Sequence, residues 1–345
     1  MGKRIYPKLI ALAVIATFVM ILPTGSSSWA AKKKPIELIL ATATTGGTYY
    51  PVGVALSTLW SIKLRKDTPA PIKVNPITSA GSGENVNMLK GKEVEMAILQ
   101  GLFGKMAWNG TDIYKGKPMK ELRSITLLWP NVEHFVIIQD KVKTGTITDI
   151  KGLKFSIGRA GSGTERSGLT IMSGVGMGRD DVKGEYLGYF ESSKAMKDKR
   201  IQGANLCAGP PVAAVTDLFA TPGMKVKILE FTDKQLKAIN SKTSYPGFWY
   251  LIPANTYPGQ KKQVKTIAQP NFLGIRADVD PAIVYKLTKT IYENLPYLYA
   301  IHQATKFMKL ELATSGLPCP LHPGALKYYR EVGVKIPDSL IPPGS

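Results

Sequence analysis

The 345-residue sequence predicts an α/β protein of two lobes, each a mixed sheet flanked by helices, with a ligand cleft between the lobes. Three observations support this. Strand-like and helix-like segments alternate along most of the chain, which argues for parallel or mixed sheets covered on both faces. The length exceeds one ordinary core and suits two domains of common size. Glycine- and hydroxyl-rich turns follow three of the predicted strands, the position at which open α/β sheets hold ligands.

The first thirty residues stand apart. Lys3, Arg4 and Lys8 precede an uncharged apolar run, Leu9 to Leu22, and Ser28-x-Ala30 supplies a small-x-small cleavage pattern. This is the layout of a secretory signal peptide cleaved near Ala30, with an apolar stretch short for a membrane span. An exported chain is expected, in the periplasm. Removing Lys3, Arg4 and Lys8 lowers the formal charge from +20 to +17. The lysines are spread along the chain, without an arginine block or aromatic stacking pattern, so no nucleic-acid partner is expected. Cys207 and Cys319 lie far apart in sequence; a disulfide and two buried free thiols both remain open.

In order, Ile36–Ala41 reads as a strand, Pro51–Leu64 as a helix, Ile72–Thr78 as extended, Glu84–Leu89 as a short helix and Val94–Gln100 as a buried strand. Leu122–Gln139 is rich in extended formers, interrupted only by Pro130. Strand and helix then alternate: Leu153–Gly158, Thr164–Val175, Glu185–Phe190, Ser192–Ile201, Asn205–Ala208, Val212–Phe219, Met224–Phe231 and Asp233–Asn240. From Asp280-Pro281 a helical pattern runs toward Met308, broken or kinked at Pro296. The expected division is residues 31–128 with 246–345 in the first lobe and 129–245 in the second, joined through Leu122–Gln139 and Tyr245–Pro253.

The turns Thr44-Thr-Gly-Gly-Thr48, Thr78-Ser-Ala-Gly-Ser-Gly-Glu-Asn85 and Arg159-Ala-Gly-Ser-Gly-Thr164 each lead from a predicted strand into a predicted helix. Free amides and the helix dipole at such places attract oxyanions without a cation. Glycine lets the backbone approach closely, and Ser or Thr adds hydroxyl donors. Three such turns on two lobes predict facing rims around one small polar ligand, with Tyr49 and Tyr50 on the first turn of a helix and at least one of them in the core.

Catalytic motifs fail on local chemistry. Gly158-Arg-Ala-Gly-Ser-Gly163 has phosphate-loop spacing, but Thr164 stands where lysine is required. Gly174-Val-Gly-Met-Gly178 misses the dinucleotide fingerprint, and no GxSxG surrounds Ser162. His134, His302 and His322 sit singly, without metal-ligand spacing, and read as structural. Neither enzyme chemistry nor a cofactor or metal is expected.

Several segments taken together resemble TAXI-type solute receptors, the extracytoplasmic subunits of tripartite ATP-independent periplasmic (TRAP) transporters. They are TTGGTYYPVG at 44–53, TSAGSGENVNMLKGKEVEMAILQ at 78–100, ITDIKGLKFSIGRAGSGTE at 147–165, Gly209-x-Pro211, IPANTYPGQ at 252–260 and HPGALKYYREVG at 322–333. The resemblance covers nearly all of the chain after residue 30. It implies a type II periplasmic binding protein whose lobes close on a small carboxylate or amino acid, glutamate-like or a 2-oxo acid, and deliver it to a TRAP membrane permease. Membrane contact would run only through that permease.

Carried over by motif, the ligand-binding residues of the first lobe would be Thr45, Gly46, Gly47, Thr48, Tyr49, Tyr50, Ser82, Asn85 and Gln100. Those of the second would be Gly161, Ser162, Gly163, Thr164 and Gly209. Two departures stand out: Asn205 where the family usually carries aspartate, and Arg159 where a small residue or proline is more usual. Arg159 or Arg166 could pair with a second carboxylate of a diacid, or both could be solvated surface arginines. Two alternatives to the TRAP assignment are a receptor for an ATP-driven importer and an exported sensor or adhesive partner protein.

Overall fold

The computed structural model describes residues 1–2, 34–65 and 70–344, so all but the first two residues of the expected signal segment and its cleavage site lie outside the described residues. β1 (Ile36–Ala41) leads through the first glycine turn into α1 (Tyr49–Lys63), β2 (Ile72–Ile77), α2 (Ser82–Lys90), β3 (Met96–Gln100) and α3 (Gly101–Asn109). β4 (Leu122–Val132) and β5 (Phe135–Ile138) follow, then β6 (Lys154–Ser156), α4 (Gly163–Gly174), β7 (Lys183–Glu185), α5 (Tyr189–Lys197), β8 (Gly203–Asn205) and α6 (Ala213–Ala220). The chain continues through β9 (Val226–Ile228), α7 (Asp233–Lys242), β10 (Phe248–Ile252) and β11 (Val264–Arg276), and ends with α8 (Pro281–Glu293), α9 (Leu295–Ile301) and α10 (Pro323–Glu331).

Two mixed sheets result. The first runs β10-β11-β3-β1-β2, with β4 also on β11, and the second runs β7-β6-β8-β5-β9. Both repeat one plan: three parallel strands ordered second, first, third, then an antiparallel strand against the third, β11 in one sheet and β5 in the other. In both, a helix follows each parallel strand, so the carboxyl ends of six strands open into helix N-termini. Only Glu133 and His134 separate β4 in the first sheet from β5 in the second.

Alternation within strands sorts the apolar side chains into three clusters. Leu38 and Leu40 of β1 face a core with Trp60 of α1, Leu287 of α8 and Tyr329 of α10. Ala41, Leu99 and Phe103 face a second cluster that continues into the other sheet through Phe135, Phe155 and Ile171. Val136 of β5 turns the opposite way from Phe135, toward Ala204, Val215 and Leu218. Period-two alternation thus lets each sheet bury both faces. Lys34–Ser345 form a single compact unit. No helix among the described residues is long and apolar enough to cross a membrane.

The structure differs from the sequence expectations at several elements. The strand expected over Glu185–Phe190 ends at Glu185, and Tyr189 and Phe190 open α5. Gly188 breaks the extended run before that helix. Helix α3 was not expected, because Gln100-Gly-Leu-Phe-Gly follows a strand without a Ser, Thr, Asp or Asn cap. The expected crossings Leu122–Gln139 and Tyr245–Pro253 contain ladder strands, β4, β5 and β10. Pro130 does not break β4: it faces Pro270 of β11, beside an irregularity in register. The helical pattern from Pro281 divides into α8 and α9 around Asn294, two residues before the expected break at Pro296.

Trp60 ties the first of these cores together. Its ring is fully buried and its indole N–H donates to the Leu287 carbonyl at 3.0 Å, joining α1 to α8. Trp60→Phe keeps an aromatic ring but loses the bond that joins α1 to α8 and leaves space where the larger indole packed, so the unfolding free energy should drop by about 1–3 kcal/mol. Urea denaturation would register this as a lower midpoint at an unchanged slope, and an unchanged midpoint would refute it.

Candidate functional site

Residues beyond the carboxyl ends of all six parallel strands line one cavity. β1 contributes Ala43, Thr44, Gly47, Thr48 and Tyr49; β2 contributes Ala80, Gly81 and Ser82; and β3 contributes Gln100. From the second sheet come Arg159, Ser162, Gly163 and Thr164 after β6, Tyr189 after β7, and Cys207 and Ala208 after β8. Asn131 of β4 completes the wall. The free interior is small, about 30 Å³.

Helix ends dominate its chemistry. Two helices away from the cavity are capped by side chains: Thr232 caps α7 in a reciprocal pair with Gln235, and Asp280 accepts from Ala282 N–H at 2.7 Å to cap α8. At the cavity, α1 and α2 have no side-chain cap, and among the described residues the amides of Thr48, Tyr49, Ser82, Gly163 and Thr164 have no acceptor in the protein. Ser162 caps α4 on the amide of Glu165 at 3.0 Å, leaving its first two amides free. Three helix N-termini therefore share one cavity, a positive field made without a buried cation. No Asp or Glu lines it, and its one charged lining residue, Arg159, is exposed.

The two rims are in contact. Thr48 donates its hydroxyl to the Gly209 carbonyl at 2.6 Å, and Ala214 N–H donates to the Gly46 carbonyl at 3.2 Å. Arg166 of α4 pairs with Asp112, which follows α3. A Cβ on Gly83 would lie 2.2 Å from the Gly161 carbonyl oxygen, and one on Gly163 would lie 2.7 Å from the Gln100 side chain. At these two positions, glycine's lack of a Cβ is what allows the sheets to meet.

Of the sequence-predicted residues, Gly47, Thr48, Tyr49, Ser82, Gln100, Ser162, Gly163, Thr164 and Arg159 line the cavity. The remainder lie outside that lining. Thr45 is exposed, and Tyr50 is half-buried on α1. Gly46, at φ +89°, packs where a Cβ would strike Phe190. Gly161 sits at the outer rim against Gly83, Gly209 holds the Thr48 hydroxyl, and Arg166 is spent on Asp112. Asn85 is a pin behind the site: its amide donates to the Thr42 carbonyl at 2.8 Å and the Ile98 carbonyl at 2.9 Å, and its oxygen accepts from Ser79 at 2.6 Å.

Sequence reasoning missed Asn131, Tyr189 and Cys207. Tyr189 is buried, shares a hydrogen bond of 2.7 Å with Thr164 and donates to the Cys207 carbonyl; burial pushes its phenol well above the usual range. The signal available for it was Gly188, which marks the end of β7 and the start of the next helix. Cys207 and Cys319 are both free and buried, with Cys319 against the Ser124 hydroxyl at 3.2 Å, which settles the cysteines as thiols. Among the described residues no cluster of three or more His, Cys, Asp or Glu is placed to hold a metal.

The histidines are structural groups. His134 is fully buried, with Nδ1 2.9 Å from the Val132 carbonyl and Nε2 2.8 Å from the Tyr257 hydroxyl. His322 accepts from Gly324 N–H at 3.2 Å at the start of α10, and His302 accepts from Ala304 N–H at 3.1 Å.

A two-sheet α/β fold with an enclosed, small, amide-rich cavity defines the class. The chain belongs to the NMT1-like family, whose profile matches residues 40–333. Its fold is similar to that of the periplasmic aliphatic sulphonate binding protein SsuA from Escherichia coli, at 12% identity over 86% of this chain and 83% of that one, with a TM-score of 0.47. It is similar also to a TRAP periplasmic solute binding protein from Citrobacter koseri with bound D-glucuronate, at 13% identity over 87% of this chain and 88% of that one, TM-score 0.45. A third similar structure is PhnD1 from Prochlorococcus marinus in complex with methylphosphonate, at 14% identity over 78% of this chain and 90% of that one, TM-score 0.47.

Two predictions concern the groups behind the cavity. Asn85→Leu strips partners from two carbonyls and the Ser79 hydroxyl, so it should cost about 2–4 kcal/mol of unfolding free energy in urea. A loss below about 1 kcal/mol would contradict the pinning role. The second concerns pH. Burial holds His134 and His322 down to about 4 in the folded state, so their contribution to stability is full above about 6.5 and is lost as pH falls toward 4. Burial moves Glu133 the other way, raising its carboxyl, so the folded state takes up a proton there as pH falls and partly offsets the histidines. Stability should thus decline from pH 6.5 to 5, and the decline should steepen in Glu133→Gln. Denaturation curves at several pH values would show it, and parallel profiles would refute the assignment.

Proposed function

We propose that this member of the NMT1-like family is an extracytoplasmic solute receptor of the TAXI type. It encloses a small organic anion or amino acid between two lobes and delivers it to a TRAP-type, ion-gradient-driven permease. The observation that carries this is the convergence of three helix N-termini, with free amides from both sheets, on one cavity that contains no acidic side chain. Such a site binds a carboxylate or related oxyanion through backbone donors and needs both halves of the protein to do so. The absence of a nucleophile–base pair around the cavity fits binding without turnover. Residues 31–128 with 246–345 and 129–245 would move as the two lobes, and the proposed site is Gly47, Thr48, Tyr49, Ser82, Gln100, Ser162, Gly163 and Thr164, with Arg159 at the mouth. The motif segments that resemble TAXI receptors, and the signal-like first thirty residues, support the periplasmic placement and the TRAP partner.

The test is a thermal-shift screen of the purified protein, unfolded and refolded to strip carried solute, against small carboxylates, amino acids, other oxyanions and neutral sugars. A ligand at about a hundred times its Kd stabilises by about 2.7 kcal/mol, several degrees. Stabilisation by anions and none by sugars is expected; the reverse would sink the proposal. On this reading the lobes part when no ligand is bound, so Gly83→Ala, whose new methyl would press on the Gly161 carbonyl only in the closed form, should leave the ligand-free Tm within a few degrees of wild type. It should weaken binding by about tenfold or more, the equivalent of about 1.4 kcal/mol. Equal affinity would mean that the observed rim contact is not part of the bound state. Uptake by vesicles holding TRAP-type permease subunits from the same genome, driven by an ion gradient and not by ATP, would separate a TRAP system from an ATP-driven importer.

A further inference from the structure

The floor of the cavity carries a feature that the anion-binding role does not use. Gln100 of β3 is paired in register with Asn271 of β11, and Asn131 of β4 with Gln269 of β11. Residues 269 and 271 lie two apart on one strand, and directly paired residues share a face, so all four carboxamides lie on one face of the first sheet. All are at most 2% exposed. The protein satisfies part of this set: Asn271 Oδ1 accepts from Tyr49, Gln269 Oε1 accepts from Leu102 N–H at 3.0 Å, and Gln100 Nε2 contacts Cys207 Sγ at 3.9 Å. Gln100 Oε1, both polar atoms of Asn131, Gln269 Nε2 and Asn271 Nδ2 have no partner in the protein. Gln100 and Asn131 line the cavity itself.

Five such atoms on one buried face are costly unless something else engages them. Three of them, Gln100 Oε1 and the two polar atoms of Asn131, belong to residues that line the cavity, where a solute can reach them. A primary amide presents one acceptor and one pair of donors whichever way it is flipped, so the floor offers both kinds of group in either orientation. An ammonium group answers only the acceptors, and would bring a positive charge into an interior with no carboxylate on its lining. A 2-oxo group answers only the donors. A hydroxyl answers both at once.

We propose, building on the anion-receptor reading above, that the physiological ligand is a small hydroxy acid, its carboxylate held at the helix N-termini and its hydroxyl seated between Asn131 and Gln100. The free interior of about 30 Å³ fits a solute of few heavy atoms in this closed arrangement. Arg159 stays at the mouth, exposed, and does not select the hydroxyl.

The experiment is calorimetric titration of the refolded protein with matched acids that differ in one substituent: propanoate, 2-oxopropanoate, 2-hydroxypropanoate and 2-aminopropanoate, then the same four substituents on two- and four-carbon frames. At the best-fitting chain length the hydroxy acid should bind about tenfold or more tighter than each of its three analogues. Binding of the acids without that preference, or tighter binding of the amino or oxo member, overturns this inference and leaves the anion-receptor reading standing. No binding by any acid overturns both. Asn131→Leu, close in shape, separates a ligand role from a structural one. It should shrink the hydroxy-to-plain-acid ratio toward one while leaving the ligand-free Tm equal to or above that of wild type, because two unpaired buried atoms are removed. A fall in Tm with the ratio preserved would place Asn131 in the scaffold and refute its contact with the hydroxyl.

Discussion

A helix leaves its first amides without partners, and the placement of those amides organises this molecule. Sheets built of parallel strands send every connecting helix off from the same edge. Repeating that plan twice brings six such edges toward one space. Thr232 and Asp280 cap α7 and α8, whereas α1 and α2 have no side-chain cap. The Thr48 hydroxyl at the head of α1 is instead spent on a carbonyl of the other sheet. The amides at these helix ends stay without protein acceptors, which is what the proposed anion-binding role requires.

Glycine serves a second purpose in the same turns. A flexible turn needs glycine at the positions of positive φ, such as Gly81 at +118°. Gly83 and Gly163 are different: both lie within helices at negative φ, and both are glycine because the opposite rim leaves no room for a methyl. One sequence pattern, Gly-Ser-Gly, thus meets two separate requirements, backbone conformation and distance across the cleft. Tyr189 adds to the closure from the second sheet, filling the space above Gly47, where an added Cβ would stand 3.0 Å from its ring.

Much of this arrangement was legible in the sequence, and the parts that were not share a cause. The turns after β1, β2 and β6 announce themselves by composition, because close backbone approach restricts residue choice. The strands β1 and β3 announce themselves by continuous apolar runs, as buried parallel strands must. Asn131 gave no such signal: it lies in an extended stretch next to Pro130, and its importance arises only when β11 sets Gln269 opposite it. β11 spans thirteen residues with Gln, Pro and Asn near its middle, a pattern that reads as loop because its polar side chains are buried beside Gln100 and Asn131 and not in solvent. Asn85 was legible as a polar residue in a glycine turn, but nothing local distinguishes a ligand contact from a pin on Thr42 and Ile98. Tertiary partners, not periodicity, decide such cases.

Asn205 shows how a departure from a family pattern can be read once the partners are known. Where the TAXI-type pattern that the sequence resembles has aspartate, this chain places an amide whose nitrogen lies 3.1 Å from the Glu133 carboxyl, with Tyr245 donating to the other oxygen at 3.1 Å. Glu133 is fully buried between β4 and β5, the point at which the chain passes from one sheet to the other. An aspartate at 205 would set two carboxyls side by side in that interior, and at least one would have to hold a proton. The amide avoids this, since its N–H₂ donates to the one carboxyl present. Asn205 thus packs with Glu133 at the crossing between β4 and β5, one strand end away from Cys207 and the cavity wall. The departure at this position bears on how the two sheets are joined, and the proposed choice of ligand is argued instead from Gln100 and Asn131, which line the cavity.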